Sequence, residues 1–202
     1  SYDRNQTELR SEKALQPEIE REVIRLAKSG DPRSYEPLVR AYEGPGLRLA
    51  IGMLGSTDEA RDALQDTFIK AWQSLHRFDI TRPFGPWFFQ ILRNQCRDVI
   101  RSRQSRERHE VRDEQIDVLP AGASSDPRRL HERSEASLIL WKSLNTLGDE
   151  HREILVLKEL QGFRYSEIAN ILEIPEGTVA SRLYHARNAL REALVATDAE
   201  YP

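Results

Sequence analysis

Tyr165-Ser166-Glu167-Ile168-Ala169-Asn170-Ile171-Leu172-Glu173-Ile174-Pro175-Glu176-Gly177-Thr178-Val179-Ala180-Ser181-Arg182-Leu183-Tyr184-His185-Ala186 decides how this 202-residue chain is read. Glu167, Ile168, Ala169, Ile171 and Leu172 fit a short helix, and Glu173-Ile174-Pro175 a tight turn. A longer helix then starts near Glu176, with Val179, Leu183, Ala186 and Leu190 on one apolar stripe. Ala169 is small enough to let the two helices approach closely. Residues 165–194 therefore have the layout of a helix-turn-helix. The opposite stripe presents Thr178, Ser181, Arg182 and His185 at i, i+3, i+4 and i+7. Short donors and a cation in that order suit base edges and phosphates in a major groove. An ordinary helical hairpin with a solvated polar face would show the same pattern.

Outward from this motif, nearly every segment keeps helical periodicity, and no run alternates long enough for a strand. Ile19, Val23, Ile24, Leu26 and Ala27 predict a short helix over 19–28, closed by Gly30. Asp31-Pro32 offers an N-cap followed by a first-turn proline. Pro37 predicts a kink or a later start in the next helix, and Gly44-Pro45-Gly46 a break before a helix resumes to Gly55. Residues 58–76 carry Leu64, Phe68, Ala71, Trp72 and Leu75 on one stripe. After a loop from His76 to Gly85, a helix begins at Pro86 and buries Phe88, Ile91, Leu92, Cys96 and Val99. Residues 106–130 lose the period and collect Pro120, Gly122, Ser124, Ser125 and Pro127, as a linker does. Helices return through Leu138, Trp141, Leu144 and Leu147, then Ile154 to Leu160.

The expected fold is all-α: two small helical domains on a flexible linker, the second a four-helix domain containing the helix-turn-helix. The boundaries are a tail at 1–18, a first domain at 19–105, the linker at 106–130 and a second domain at 131–197. The tail reads as disordered.

A net charge of −3 weighs against a nucleic-acid binder unless the charge is segregated. It is. Arg93, Arg97, Arg101, Arg103, Arg106 and Arg108 face only Asp98 and Glu107 in their stretch, and Glu110, Asp113, Glu114 and Asp117 follow directly. Apolar runs such as Ile154-Leu155-Val156-Leu157 are too short to span a bilayer. Ser1-Tyr2-Asp3-Arg4 has no apolar core for a secretory signal. The single cysteine, Cys96, excludes an internal disulfide and fits a reducing compartment, so the expected location is cytoplasmic. On its apolar face Cys96 reads as a core residue. The five histidines form no metal-ligand spacing, and there is no phosphate loop, triad or CxxC. Neither an enzyme nor a cofactor is expected.

On the 58–76 helix, the face away from the core reads Asp62, Gln65, Asp66 and Ile69, an exposed isoleucine among acids and an amide. Further on, Phe84-Gly85-Pro86-Trp87-Phe88-Phe89-Gln90-Ile91-Leu92-Arg93-Asn94 sets aromatics at a helix start and then a basic face. Arg93, Arg97 and Arg101 recur every four residues. Aromatics beside cations suit unpaired DNA, through stacking and phosphate neutralisation, although Trp87 and Phe88 read as core.

Three strings together resemble the extracytoplasmic-function sigma factors of bacterial RNA polymerase. Asp62-Ala63-Leu64-Gln65-Asp66-Thr67-Phe68-Ile69-Lys70-Ala71-Trp72 is similar to their clamp-binding helix, and Phe84 to Asn94 to their melting segment. Leu144-Asn145-Thr146-Leu147 through Glu176 to Leu183 is similar to their upstream-element domain. The resemblance covers roughly residues 19–195. It implies that Asp62, Gln65, Asp66 and Ile69 dock on the β′ clamp helices of core polymerase. It implies that Phe84, Arg93, Asn94, Arg97 and Arg101, with the loop from Phe78 to Pro86, engage the −10 element. Thr178, Ser181, Arg182 and His185 would then read the −35 element, with the second domain on the β flap. The acidic stretch would thread toward the RNA exit path, and an anti-sigma factor is an implied partner. Ala180 and His185 stand where relatives carry arginine, and Arg164 where they carry a Ser or Thr cap. A response regulator or two-domain repressor would share the helix-turn-helix but leaves the other two strings unexplained.

Overall fold

The computed structural model describes residues 15–113 and 135–199, with the side chains of 15–106 and 139–197. Those residues form eight α-helices and no strand. Helix α1 (Pro17–Lys28) starts on a first-turn proline. Asp31 then accepts from the Arg33 N–H at 3.0 Å and caps a short 3-10 turn, Pro32–Tyr35, as the Asp-Pro pair predicts.

Helix α2 (Glu36–Leu54) takes up Pro37 in its first turn, where no intrahelical N–H is missed. The break expected at Gly44-Pro45-Gly46 is absent, and α2 runs through Pro45. Packing overrides the local signal here. Gly46 is buried, and a Cβ there would lie 2.6 Å from Leu64 Cδ1, so the glycine lets the neighbouring helix close onto α2. The helix ends at Gly55, whose φ of 70° makes the left-handed C-cap.

Helix α3 (Thr57–Ser74) is capped by Ser56 Oγ, which accepts from the Glu59 N–H. A 3-10 turn, Leu75–Arg77, leads to the loop before α4 (Phe84–Asp113). That helix starts two residues before Pro86 and continues beyond residue 105, into the stretch read as linker. Its distal sequence is rich in Arg, Glu and Gln, which are good helix formers even where no apolar stripe demands a helix. Tyr42, Phe68, Phe78, Phe84, Trp87, Phe88 and Phe89 meet in one aromatic cluster with centroids 4.7–6.0 Å apart. It joins α2, α3 and α4 into the first domain.

The second domain holds α5 (Glu135–Thr146), α6 (Asp149–Leu155) continued by a π turn at Val156–Leu160, α7 (Tyr165–Leu172) and α8 (Glu176–Ala199). Arg164 lacks an acceptor for capping, and Glu167 serves instead: its carboxylate accepts from the Arg164 N–H at 2.8 Å. The turn between α7 and α8 places Glu173 at φ 57°.

The two helical units do not stand apart. Phe89 meets Phe163 at 4.9 Å in a T-shaped pair across the boundary. Gly52 on α2 is a flat spot facing Val156, where a Cβ would lie 2.7 Å from Cγ2. Arg152 donates to the carbonyls of Leu144, Asn145 and Leu147 in its own domain and to Met53 O at 3.0 Å in the other. The core is therefore continuous across both units.

Candidate nucleic-acid interface

The first candidate face lies on α3. Asp62, Gln65, Asp66 and Ile69 are all exposed, while Ala60, Ala63, Leu64, Thr67 and Ala71 turn inward, so the expected stripe is presented whole. Ile69 is 47% exposed, which is common for a single apolar side chain, so what marks it is its place among Asp62, Gln65 and Asp66. Asp66 accepts from Gln95 Nε2 at 3.0 Å, and Lys70 donates to Gln95 Oε1, so α4 steadies this face from below.

The second face lies at the loop before α4 and along α4. Lys28 Nζ donates to Phe78 O at 2.8 Å, and Asp79 Oδ1 accepts from the Thr81 N–H at 2.9 Å and its hydroxyl at 2.7 Å. Those bonds hold the Asp79 carboxyl below its ordinary range. They fix a tip in which Asp79, Thr81, Arg82 and Pro83 face water. Phe84, expected at DNA, is instead 1% exposed and packed on Tyr42, Phe78, Trp87 and Phe88. An aromatic at this helix start stabilises the core, and its ring has no open face for a base.

The cationic row on α4 is split. Arg93 is 7% exposed, and its Nε donates to Glu153 on α6, also buried. Arg97 is half-buried and lines a narrow gap with Met53, Asp149, Arg152 and Glu153. Arg101 is exposed and paired with Asp98 on its own helix. Asn94 is exposed beside this row, with its Oδ1 3.4 Å from Arg93 Nη1. Arg103, from the same basic run, bonds Glu59 and has a structural role on α3. Burial pushes the Glu153 carboxyl above the usual carboxylate range, against the pull of Arg93 and the more distant Arg97 and Arg182.

The third face is the start of α8. Val179, Leu183 and Ala186 are buried as the apolar stripe predicts. Ser181 and His185 are exposed, Thr178 is partly so, and Arg182 lies 3.4 Å from Glu150. The structure adds a residue the sequence reading passed over. Tyr184 is 64% exposed and meets His185 edge-on at 5.4 Å. Its place three residues after Ser181, off the apolar stripe, is the signal that could have found it.

The acidic stretch falls outside what can be placed: Glu114 and Asp117 lie outside the described residues, as do the side chains of Glu110 and Asp113. Among the described residues no group of three His, Cys, Asp or Glu could hold a metal ion, and no helix is long and apolar enough to cross a membrane.

Comparison with known proteins covers both helical units. Residues 38–106 match the family model described as Sigma-70 region 2, and residues 137–190 that described as Sigma-70, region 4. The chain is 31% identical over 183 residues to the ECF RNA polymerase sigma factor SigW of Bacillus subtilis, covering 85% of this chain and 94% of that protein. Among solved structures it is similar to CnrH in complex with the cytosolic domain of CnrY, with a TM-score of 0.68, 26% identity, and 88% of this chain and 98% of that one covered. It is also similar to the sigma factor RpoE in complex with the anti-sigma factor NepR from Bartonella quintana. There the TM-score is 0.57 at 33% identity, over 74% of this chain and 90% of that one.

Proposed function

This chain belongs to the extracytoplasmic-function RNA polymerase sigma factors, proteins that direct core polymerase to promoters, and we propose how its own residues divide that task. Asp62, Gln65, Asp66 and Ile69 dock on the polymerase clamp. The observation that carries this is the complete exposure of that stripe, an apolar side chain among acids with its geometry held from beneath by Gln95. Such a patch suits a basic, partly apolar helical partner.

In the −10 element, the Asp79–Pro83 tip and Asn94 take a base extruded from the duplex, and Arg97, Arg101 and Arg93 hold the backbone. Extrusion costs on the order of a few kcal/mol, which docking on polymerase helps to offset. Phe84 supports the tip from the core. In the −35 element, Thr178 and Ser181 meet base edges near the start of α8, and Arg182 and His185 meet phosphates. Tyr184 offers an apolar ring to a thymine methyl. The chain acts in the cytoplasm as a non-catalytic subunit, and an anti-sigma factor restrains it.

In vitro transcription with added core polymerase across a promoter library tests this division. Transcripts should start from a defined promoter class and disappear without the chain. Unaided duplex binding with no transcripts would point to a repressor.

A further inference from the structure

The loop before α4 is tied at both ends to α1, a helix that carries none of the residues assigned to DNA. Helix α4 opens at Phe84, with Pro83 just before it. A proline side chain has no acceptor, so the first N–H of α4 needs a partner from elsewhere in the fold. That partner is Glu20 on α1, whose carboxylate accepts from the Phe84 N–H and, at 2.7 Å, from the Tyr42 hydroxyl. Gly85 makes room for this arrangement, since a Cβ there would lie 3.2 Å from Tyr42 Oη. At the other end of the loop Lys28 Nζ, about two turns further along α1, donates to Phe78 O at 2.8 Å. Ile24 and Ala27 lie between the two and are buried, which fixes the register of α1. We propose that Glu20 and Lys28 are positioning residues for −10 base selection: they set the two ends of the 78–84 loop, so that the pocket at its tip is formed before an extruded base arrives. Their role rests on the −10 assignment of the Asp79–Pro83 tip under Proposed function.

Neither bond is needed to bring the loop ends together. Phe78 and Phe84 are both buried with their rings 5.6 Å apart, so apolar packing already closes the loop. Ring contacts are non-directional, however, whereas bonds to Phe78 O and from the Phe84 N–H fix the two peptide planes from which the tip is hung. Within the tip, Asp79 accepts from the Thr81 N–H and hydroxyl, so the tip moves as one piece and its aim is set at its ends. A pocket that selects a base must hold its groups to within about 0.5 Å, which directional bonds supply. Burial pushes the Glu20 carboxyl above the usual carboxylate range, against the pull of Tyr42, the Phe84 N–H and Arg21. A carboxyl whose pKa is raised by folding favours the unfolded chain once ionised, so at neutral pH net stability is not what Glu20 contributes.

Transcription with core polymerase from a set of −10 variants tests the two ties. Lys28 is exposed, so Lys28→Met leaves the core untouched. Discrimination between the preferred base and its rivals should fall about fivefold or more in Lys28→Met and in Glu20→Ala. Preference in the −35 element and pull-down of core polymerase should not change. Lys28→Arg keeps a donor and should restore discrimination. Should Glu20→Ala fold poorly, Tyr42→Phe keeps the ring contacts, removes one donor from Glu20 and should shift −10 preference in the same direction. Amide exchange gives a measurement without DNA: the Phe84 N–H should exchange faster in Glu20→Ala while amides inside α3 keep their protection. Unchanged −10 preference in folded Lys28→Met and Glu20→Ala, or an equal loss at every promoter, overturns the positioning role. Thr81→Ala and Arg82→Ala separate it from the assignment beneath it. If they shift −10 preference and the α1 variants do not, only the role of Glu20 and Lys28 falls. If they are silent as well, the −10 role of the tip falls and the positioning role with it.

Discussion

Two faces of the first domain differ in sign and in availability. On α3, Asp62, Gln65, Asp66 and Ile69 stand in water as a complete surface. On α4, the cations fade from buried Arg93 through half-buried Arg97 to exposed Arg101. A chain with both faces open would bind DNA without polymerase. On the roles proposed above, a chain that presents its polymerase face and withholds part of its DNA face binds in the useful order, because non-specific affinity comes mainly from phosphate attraction. The difference teaches that a surface is defined by what the rest of the chain does to it as much as by its own helix.

The comparison can be broken first at Phe84. If it belongs to the core, Phe84→Ala should cost about 3–5 kcal/mol of stability in urea unfolding. Promoter preference of the molecules that remain folded should not change. A small stability loss with a large loss of −10 recognition would return Phe84 to the DNA face. The presented face comes next. Asp66→Arg with Ile69→Glu removes no buried contact, so the fold should survive while core-polymerase affinity falls by about 2 kcal/mol or more. Normal pull-down by the folded double variant would reduce that stripe to a solvated surface.

A smaller effect is expected at His185. If it meets backbone, His185→Arg should strengthen binding to all −35 variants alike and steepen the salt dependence by roughly one contact. A shifted consensus in a −35 selection would make it a base reader instead. The least change is expected at Cys96, on the inner side of α4. Burial pushes its thiol up to about 12, so little thiolate exists in the folded chain at neutral pH and none of it is accessible. Maleimide at pH 8 should leave native protein unmodified and label it on unfolding. Rapid labelling of native protein would mean that this side of α4 opens readily.

Periodicity made the helices and the helix-turn-helix legible, since each stripe that faces inward is a 3.6-residue pattern written in Leu, Ile, Val and aromatics. The break at Gly44-Pro45-Gly46 was misread because Gly46 answers to Leu64, a contact with no local trace. The arginine row shows the same limit in geometric form. Four residues advance an α-helix by slightly more than one turn, so Arg93 and Arg101 point about 80° apart. A shared spacing therefore did not mean a shared face, and only the packing of Glu153 decides which arginine is covered. The α3 stripe was read correctly in its exposure because nothing else in the described chain covers it.

Arg152 gives the seam between the domains a kinetic character. Three of its four carbonyl partners, at Leu144, Asn145 and Leu147, belong to its own domain, and only Met53 belongs to the other. When the domains part, the guanidinium loses one bond and keeps its place. The rotamer entropy of a long cation, up to about 2 kcal/mol, is thus spent when the second domain folds and is not spent again at each encounter. Reclosure starts from a prong already aimed at its acceptor, so a released chain should snap shut faster than a seam of loose side chains would allow.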